Sequence, residues 1–306
     1  MDALLAEHVT KRYTSRRRDT LALDRVDLAI PKGMLFGFLG RNGAGKTTLI
    51  KISSTLLAPT SGRVSLFGHD VMEEPEAVRP QIALVPQEGK PFFHLTPREH
   101  VEEYLRVRGA SAETARSRAD EVLKAMGLTA YENEVAYRLS GGLQQRTLVA
   151  MILATRAPFL FLDEPTLGMD PFARRQVWEV IRSVARTGST ILLTTHYLDE
   201  AEQLSEQLAI IEAGQILYRG NPRELKERLG REVRVEFSGG VGRDELAPFG
   251  PVHPTSNGFA VLTAQRRVPE LTDLALARGS VVSVGPVSLE EAFLELVGKR
   301  IEEDEA

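Results

Sequence analysis

The sequence contains no cysteine. That excludes a disulfide framework, a thiolate metal site and a cysteine nucleophile. It also lacks any apolar run approaching the ~18–20 residues needed to cross a bilayer; Leu148 to Ala154 is among the longest. The first residues, Met1 to Tyr13, have neither the basic start nor the apolar centre of a secretory signal. An excess of one charge is missing too: 38 Lys and Arg against 42 Asp and Glu leave a formal net charge of −4. A mildly acidic chain is a poor candidate for gripping a nucleic-acid backbone, so no nucleic acid is expected as a partner. These absences lead us to expect a soluble, cytoplasmic protein that acts on a membrane only through a partner. What is present is ordinary globular composition, 42% hydrophobic and 26% charged over 306 residues. At ~100–200 residues per domain, two domains are expected, with core enough to fold without staples.

Residues 4–13 and 21–30 read as strands around a polar turn, Ser15 to Asp19. Met34 to Leu39 is a short apolar run that suits a buried parallel strand. A glycine-rich loop follows, and Thr47 to Ser54 is expected to be helical. Residues 63–67 and 82–85 read as short strands. Thr96-Pro97-Arg98-Glu99 opens a helix twice over, with capping-box spacing and a proline at the first helical position. Residues 97–126 are then mostly helical, broken near Gly109. Leu143 to Ala154 reads as a helix buried on most sides. Apolar strands at 159–162 and 190–194 flank the amphipathic stretch 172–186. Strands alternating with helices predict an α/β domain with a mainly parallel sheet. After Asn221-Pro222 a charged helix runs to Leu229. The order then becomes strand-like 232–237 and 258–264, helix-like 268–278, strand-like 280–284 and helix-like 288–298. That order suggests a small α+β domain ending in a frayed acidic tail, Glu302 to Glu305. The glycine loop occurs once, so one nucleotide domain is expected rather than a tandem pair.

Gly40-Arg-Asn-Gly43-Ala-Gly45-Lys46-Thr47 fits G-x-x-x-x-G-K-[ST] between a predicted strand and a predicted helix. Its glycines let backbone N–H groups turn toward phosphate oxygens, and the helix start adds its positive end. Lys46 reaches the outer phosphates and the Thr47 hydroxyl ligates Mg²⁺ in this reading. Phe159 to Leu162 is an apolar strand ending in Asp163 and Glu164. Asp163 can hold the Mg²⁺, and Glu164 can polarise an attacking water. Such an acidic pair alone more often caps a helix; beside a phosphate loop the chemical reading prevails. Leu139-Ser140-Gly141-Gly142-Leu143-Gln144-Gln145-Arg146 opens an apolar helix with bare amides and a hydroxyl, a second anion site.

At this point the sequence resembles the ATP-binding subunits of ABC transporters, whose signature reads LSGGQ or LSGGxxQR. The match continues in order over residues 1–220. Tyr13 sits at the adenine-stacking position, Gln87 after Leu84-Val85-Pro86 at the Q-loop, Leu167-Gly168-Met169-Asp170 at the D-loop, and His196 at the switch histidine. The resemblance implies a P-loop NTPase core of ABC type over 1–220, with a helical subdomain at about 88–155. A linker helix at 221–230 and a small C-terminal α+β accessory domain at 231–306 complete the expected layout. It implies that Tyr13, Gly40, Asn42, Gly43, Gly45, Lys46, Thr47 and Thr48 bind ATP. Mg²⁺ falls to Thr47, Gln87 and Asp163, and catalysis to Glu164, His196 and Gln87. Ser140, Gly141, Gly142 and Gln144 would serve the ATP of a partner subunit, with Asp170 between the two. The implied partners are a second cassette, as homodimer or pseudo-dimer, and a membrane permease moved through the Gln87 loop.

Some positions depart from the common pattern. Leu167 and Met169 make the D-loop more apolar than the usual Ser-Gly-Leu-Asp, which implies altered packing at a subunit interface. Phe92 and Phe93, close after Gln87, suit either a docking surface or burial under the helical subdomain. Ser288 to Gly298 resembles the C-terminal end of drug-resistance ATPases serving ABC-2 type exporters, the daunorubicin-exporter family. Its residue-level reading is an amphipathic helix with Leu289, Phe293 and Leu296 inward. The resemblance implies an ATPase on the cytoplasmic face of the membrane, powering export of a drug or other hydrophobic compound through an ABC-2 type permease. The alternative is a soluble ABC ATPase not coupled to transport, although no tandem domain or coiled-coil insertion supports it. A GTPase of the same loop class is excluded by the absence of Asn-Lys-x-Asp.

Overall fold

The structure, a computed structural model, describes residues 2–14, 19–228 and 233–305. The expected turn at Ser15 to Arg18, and Leu229, lie outside the described residues. Residues 1–219 and 220–306 form two compact units. In the first, the strands in chain order are β1 (Asp2–Thr14), β2 (Asp19–Pro31), β3 (Leu35–Leu39), β4 (Ser61–Leu66), β5 (His69–Asp70), β6 (Ile82–Val85), β7 (Phe159–Asp163), β8 (Thr190–Thr195), β9 (Gln207–Glu212) and β10 (Gln215–Gly220). They form two sheets, β2-β1-β4-β5 and β10-β9-β3-β8-β7-β6. The first is antiparallel. In the second, β3 lies parallel to β8 and β9, and β7 lies parallel to β6 and β8.

β3, β7 and β8 are buried along their whole length because both faces of the parallel sheet are covered. The two-residue period of a strand sends alternate side chains of β7 into different cores. Phe159 and Phe161 pack with Leu4, Val9 and Ile30 of the antiparallel sheet. Leu160 and Leu162 pack with Leu105, Leu148, Ile152 and Val177 from the helices on the other side. The strand-end residues Asp163 and Thr195 therefore emerge at one edge of a sheet fixed from both sides.

The helical stretch expected over 97–126 forms as two helices, Pro97–Val107 and Ala112–Ala125, with the expected break at Gly109, whose φ is +90°. Its capping box is formed: Glu99 N–H donates to Thr96 Oγ1 at 3.2 Å, and Thr96 N–H donates to Glu99 Oε2 at 2.8 Å. Helix Gly141–Leu153 buries Thr147 to Ala150, Ile152 and Leu153. Among the described residues no helix is long and apolar enough to cross a membrane.

The second unit holds β11 (Val233–Ser238), β12 (Val252–Thr255), β13 (Gly258–Thr263) and β14 (Val281–Pro286), in the antiparallel order β12-β13-β11-β14. Helix Val268–Arg278 adds Leu271 and Ala275 to a core of Val235, Phe237 and Val261. β12 carries Pro254, which argues against a strand in sequence; it sits at the sheet edge, where a missing N–H is tolerated. The last helix, Leu289–Glu305, continues to Glu305 where a frayed end was expected. Its buried residues include Leu289, Ala292 and Val297, whereas Phe293 and Leu296 are only half-buried. The expected inward set is corrected accordingly. β14 is the opposite edge strand, and its sequence, VVSVGP, carries no charge.

Candidate active site

The glycine loop runs from the end of β3 to the helix Lys46–Ser53. Its shape depends on missing side chains. A Cβ on Gly40 would stand 2.3 Å from the Ile211 carbonyl oxygen, and one on Gly45, at φ +116°, would stand 2.5 Å from that of Ala22. The loop is thus wedged between β2 and β9, with backbone from both sheets against it. Lys46 is 6% exposed and folds back on the loop, its Nζ donating to the carbonyls of Gly40 at 2.7 Å and Arg41 at 3.1 Å. Burial holds its pKa below the ordinary lysine value, against the pull of the nearby carboxylates Glu164, Asp163 and Glu212.

Thr47 is the meeting point of the site. Its hydroxyl donates to Asp163 Oδ2 at 2.9 Å and lies 3.3 Å from Gln87 Oε1. Asp163 also accepts from the Thr194 hydroxyl at 2.5 Å. Burial pushes the Asp163 carboxyl above its usual value and neighbouring Glu164 adds to the rise; the Thr194 and Thr47 hydroxyls and Lys46 oppose it. Hydroxyl, amide and carboxylate oxygens from three elements converge here, a hard donor set of the kind Mg²⁺ takes together with phosphate and water. Among the described residues no cluster of three or more His, Asp or Glu could hold a metal alone. The converging oxygens of Thr47, Gln87 and Asp163 fit a hard cation.

Glu164 follows at φ +52°, a left-handed conformation for a side-chain-bearing residue. Its backbone N–H lies 3.1 Å from both the carbonyl oxygen and the hydroxyl of Thr194. Its Oε2 is 3.0 Å from His196 Nδ1. A cavity of about 190 Å³ is lined by Asn42, Gly43, Gly45, Lys46, Thr47, Thr48, Gln87 and Glu164. Tyr13 stands beside it, 41% exposed, with its hydroxyl 3.4 Å from Thr48 Oγ1. The arrangement can hold a polyphosphate on backbone amides and a lysine, and offers one carboxylate as a base at its end.

Ser140, Gly141, Gly142, Gln144 and Asp170 do not line this cavity. Ser140 caps helix Gly141–Leu153, accepting from Leu143 N–H at 3.4 Å, and both Ser140 and Gly141 are exposed. Gln144 turns back on its own chain and donates to the Ala136 and Leu139 carbonyls at 3.0 and 3.1 Å. Asp170 caps helix Pro171–Arg186, and its bonds from the Ala173 and Phe172 amides lower its pKa. Met169 is buried and Leu167 partly exposed. Phe92 and Phe93 are 75% and 55% exposed, so they are not buried under the helical subdomain. Buried His100 fixes that loop: its Nε2 accepts from Phe92 N–H at 2.7 Å and its Nδ1 lies 2.8 Å from the Thr96 carbonyl oxygen. Sequence reasoning gave no role to Thr194 or Gln145. Thr194 reaches the site only because β8 pairs it with Asp163, and Gln145 Nε2 lies 3.5 Å from the Glu164 carbonyl oxygen.

Residues 23–167 match the family described as ABC transporter. The daunorubicin/doxorubicin resistance ATP-binding protein DrrA of Streptomyces peucetius is 37% identical over 292 residues, covering 91% of this chain and 88% of that protein. The daunorubicin resistance ATP-binding protein DrrA3 of Streptomyces coeruleorubidus is 41% identical over 314 residues, covering 98% of each. An ATP-binding cassette solved as a dimer in a post-hydrolysis state with ADP and phosphate superposes with a TM-score of 0.66 at 28% identity, covering 71% of this chain and 98% of that one. The phosphate loop, the acidic strand end and these likenesses agree: the chain belongs to the ATP-binding, ATP-hydrolysing subunits of ABC transporters.

Proposed function

We propose that this ATPase powers export through a separate ABC-2 type permease, to which it binds on the cytoplasmic face of the membrane. Its relatives carry daunorubicin resistance in their names, which supports a drug or another hydrophobic compound as cargo. Residues 1–220 act as the ATP-binding domain, residues 88–155 as its helical subdomain, and residues 231–306, after a linker at 221–230, as an accessory domain. The exposed Phe92 and Phe93 beside Gln87 serve as the permease-facing surface.

One observation carries the catalytic reading: the Glu164 carboxylate, held 3.0 Å from His196, lies on the same cavity as Lys46 and Thr47. Loop amides and Lys46 bind the phosphates, Tyr13 stacks on the base, and Glu164 takes the proton of the attacking water while His196 fixes its orientation. Thr47, Gln87 and Asp163 would hold Mg²⁺, which would supply charge neutralisation on the phosphates. Ser140, Gly141 and Gly142 open an exposed helix N-terminus, which supports their use on the ATP of a second cassette. Asp170 acts at that boundary, and Gln144 supports the signature by pinning the turn that precedes it.

The test is Glu164→Gln, which keeps the shape and removes the basicity. ATP still binds, hydrolysis falls by ~10²–10⁴-fold, and the trapped nucleotide holds two copies together as an ATP-dependent dimer in gel filtration. Adding Ser140→Arg abolishes that dimer. Unchanged hydrolysis in Glu164→Gln removes Glu164 from the mechanism, and a monomer that binds ATP refutes the shared site. Recovery of the chain from membranes only when a permease is co-expressed tests the coupling to export.

A further inference from the structure

His196 belongs to a chain of ring contacts that continues away from Glu164. The Tyr197 ring lies against the His196 ring, centroids 4.1 Å apart and planes tilted by 39°. The Arg174 guanidinium carbon lies 4.4 Å from the centre of the Tyr197 ring. Arg174 is in the first turn of helix Pro171–Arg186, where its N–H bonds the Asp170 carbonyl at 3.0 Å. Four residues on, Trp178 on the same helix face donates its indole N–H to Glu200 Oε1 at 2.7 Å. The Thr166 hydroxyl donates to the same oxygen at 2.9 Å. The helix that begins at Asp170 therefore grips the segment from Thr195 to Glu200 twice, through Arg174 and through Trp178. Tyr197 is further fixed by its own N–H, which donates to buried Thr195 Oγ1 at 2.9 Å.

An imidazole on an exposed loop has a free χ2 and swings unless something packs on it. Here an aromatic ring packs on it, and a cation packs on that ring. We infer that Tyr197, held by Arg174, is a positioning residue that keeps His196 Nδ1 facing the Glu164 carboxylate. The orientation of the helix beginning at Asp170 thereby sets the competence of the hydrolytic pair. This rests on the reading of Glu164 and His196 as that pair. Neither Tyr197 nor Arg174 lines the phosphate cavity, so their effect falls on turnover and not on ATP affinity.

The experiment is steady-state ATP hydrolysis by the full chain and its variants, with ATP binding and melting temperature measured alongside. Tyr197→Ala lowers kcat about tenfold, inside the ~10²-fold that a misplacement of about 1 Å costs, and leaves KM for ATP within about twofold. Tyr197→Phe, which keeps the ring, restores most of the rate. Arg174→Gln lowers kcat in the same direction and Arg174→Lys recovers part of it; this pair carries the test if Tyr197→Ala does not fold. Because Tyr197 acts through His196, Tyr197→Ala adds nothing to the loss in His196→Ala, a non-additivity that general destabilisation does not produce. Two outcomes overturn the positioning role and leave the hydrolytic reading intact. One is a slow His196→Ala with wild-type kcat in both Tyr197→Ala and Arg174→Gln. The other is strictly additive losses in the double variant. Wild-type hydrolysis in His196→Ala overturns the hydrolytic reading itself.

Discussion

Asp163 illustrates a conflict between stability and chemistry within one side chain. Burial raises its pKa above the ordinary 3.8, so the folded chain holds this proton more tightly than the unfolded one. Its contribution to stability is therefore present below the ordinary carboxylate value and is lost as pH rises through the raised one. Asp163→Asn removes that loss. Without nucleotide the variant melts higher than wild type at neutral pH, by ~2–4 °C for each kcal/mol relieved, and the difference vanishes in acid below the ordinary value. Hydrolysis is lost at every pH; calorimetry at two pH values and an ATPase assay check both halves. Tyr13 is a second residue with a measurable share. Tyr13→Ala weakens ATP binding by ~1–3 kcal/mol if its ring stacks on the base, and an unchanged titration refutes the stacking. Lys46, Thr47 and Asp163 were legible in sequence because each belongs to a short local pattern. Thr194 and Arg174 were not, because the first depends on strand register and the second on how a helix face meets a loop.

Elements were legible where they carry their own punctuation. Thr96, Pro97 and Glu99 announce a helix start, and the structure forms both capping bonds. Thr96→Ala removes one of them and costs about 1 kcal/mol, read as a lower denaturation midpoint with an unchanged slope. The parallel strands were legible as unbroken apolar runs, the pattern that burial on both faces demands. β12 and the helix Arg243–Leu246 were missed because each is only four residues long and offers too few positions to establish a period. The inward face of the last helix was misread for a related reason. Leu289, Phe293 and Leu296 and the observed Leu289, Ala292 and Val297 are both helical spacings, and only packing chooses between them.

At the scale of the whole molecule, the division into residues 1–219 and 220–306 makes a direct prediction. A chain ending at Arg219 folds cooperatively and binds ATP, because the phosphate loop, Asp163, Glu164 and His196 all precede that point and each core of the first unit draws on residues before it. Loss of folding in that truncation refutes the independence of the first unit. The reciprocal fragment has a different fate, set by β14. That strand pairs with β11 on one side, bears no charge, and exposes Val281 and Val284. Lysine, inward charge, proline or a bulge are the usual guards on such an edge, and Val281 to Gly285 have none of them; only Pro286, at the strand's end, serves as one. A free C-terminal fragment therefore concatenates edge to edge and accumulates in inclusion bodies. A single lysine at Val284 is the change that returns it to the supernatant.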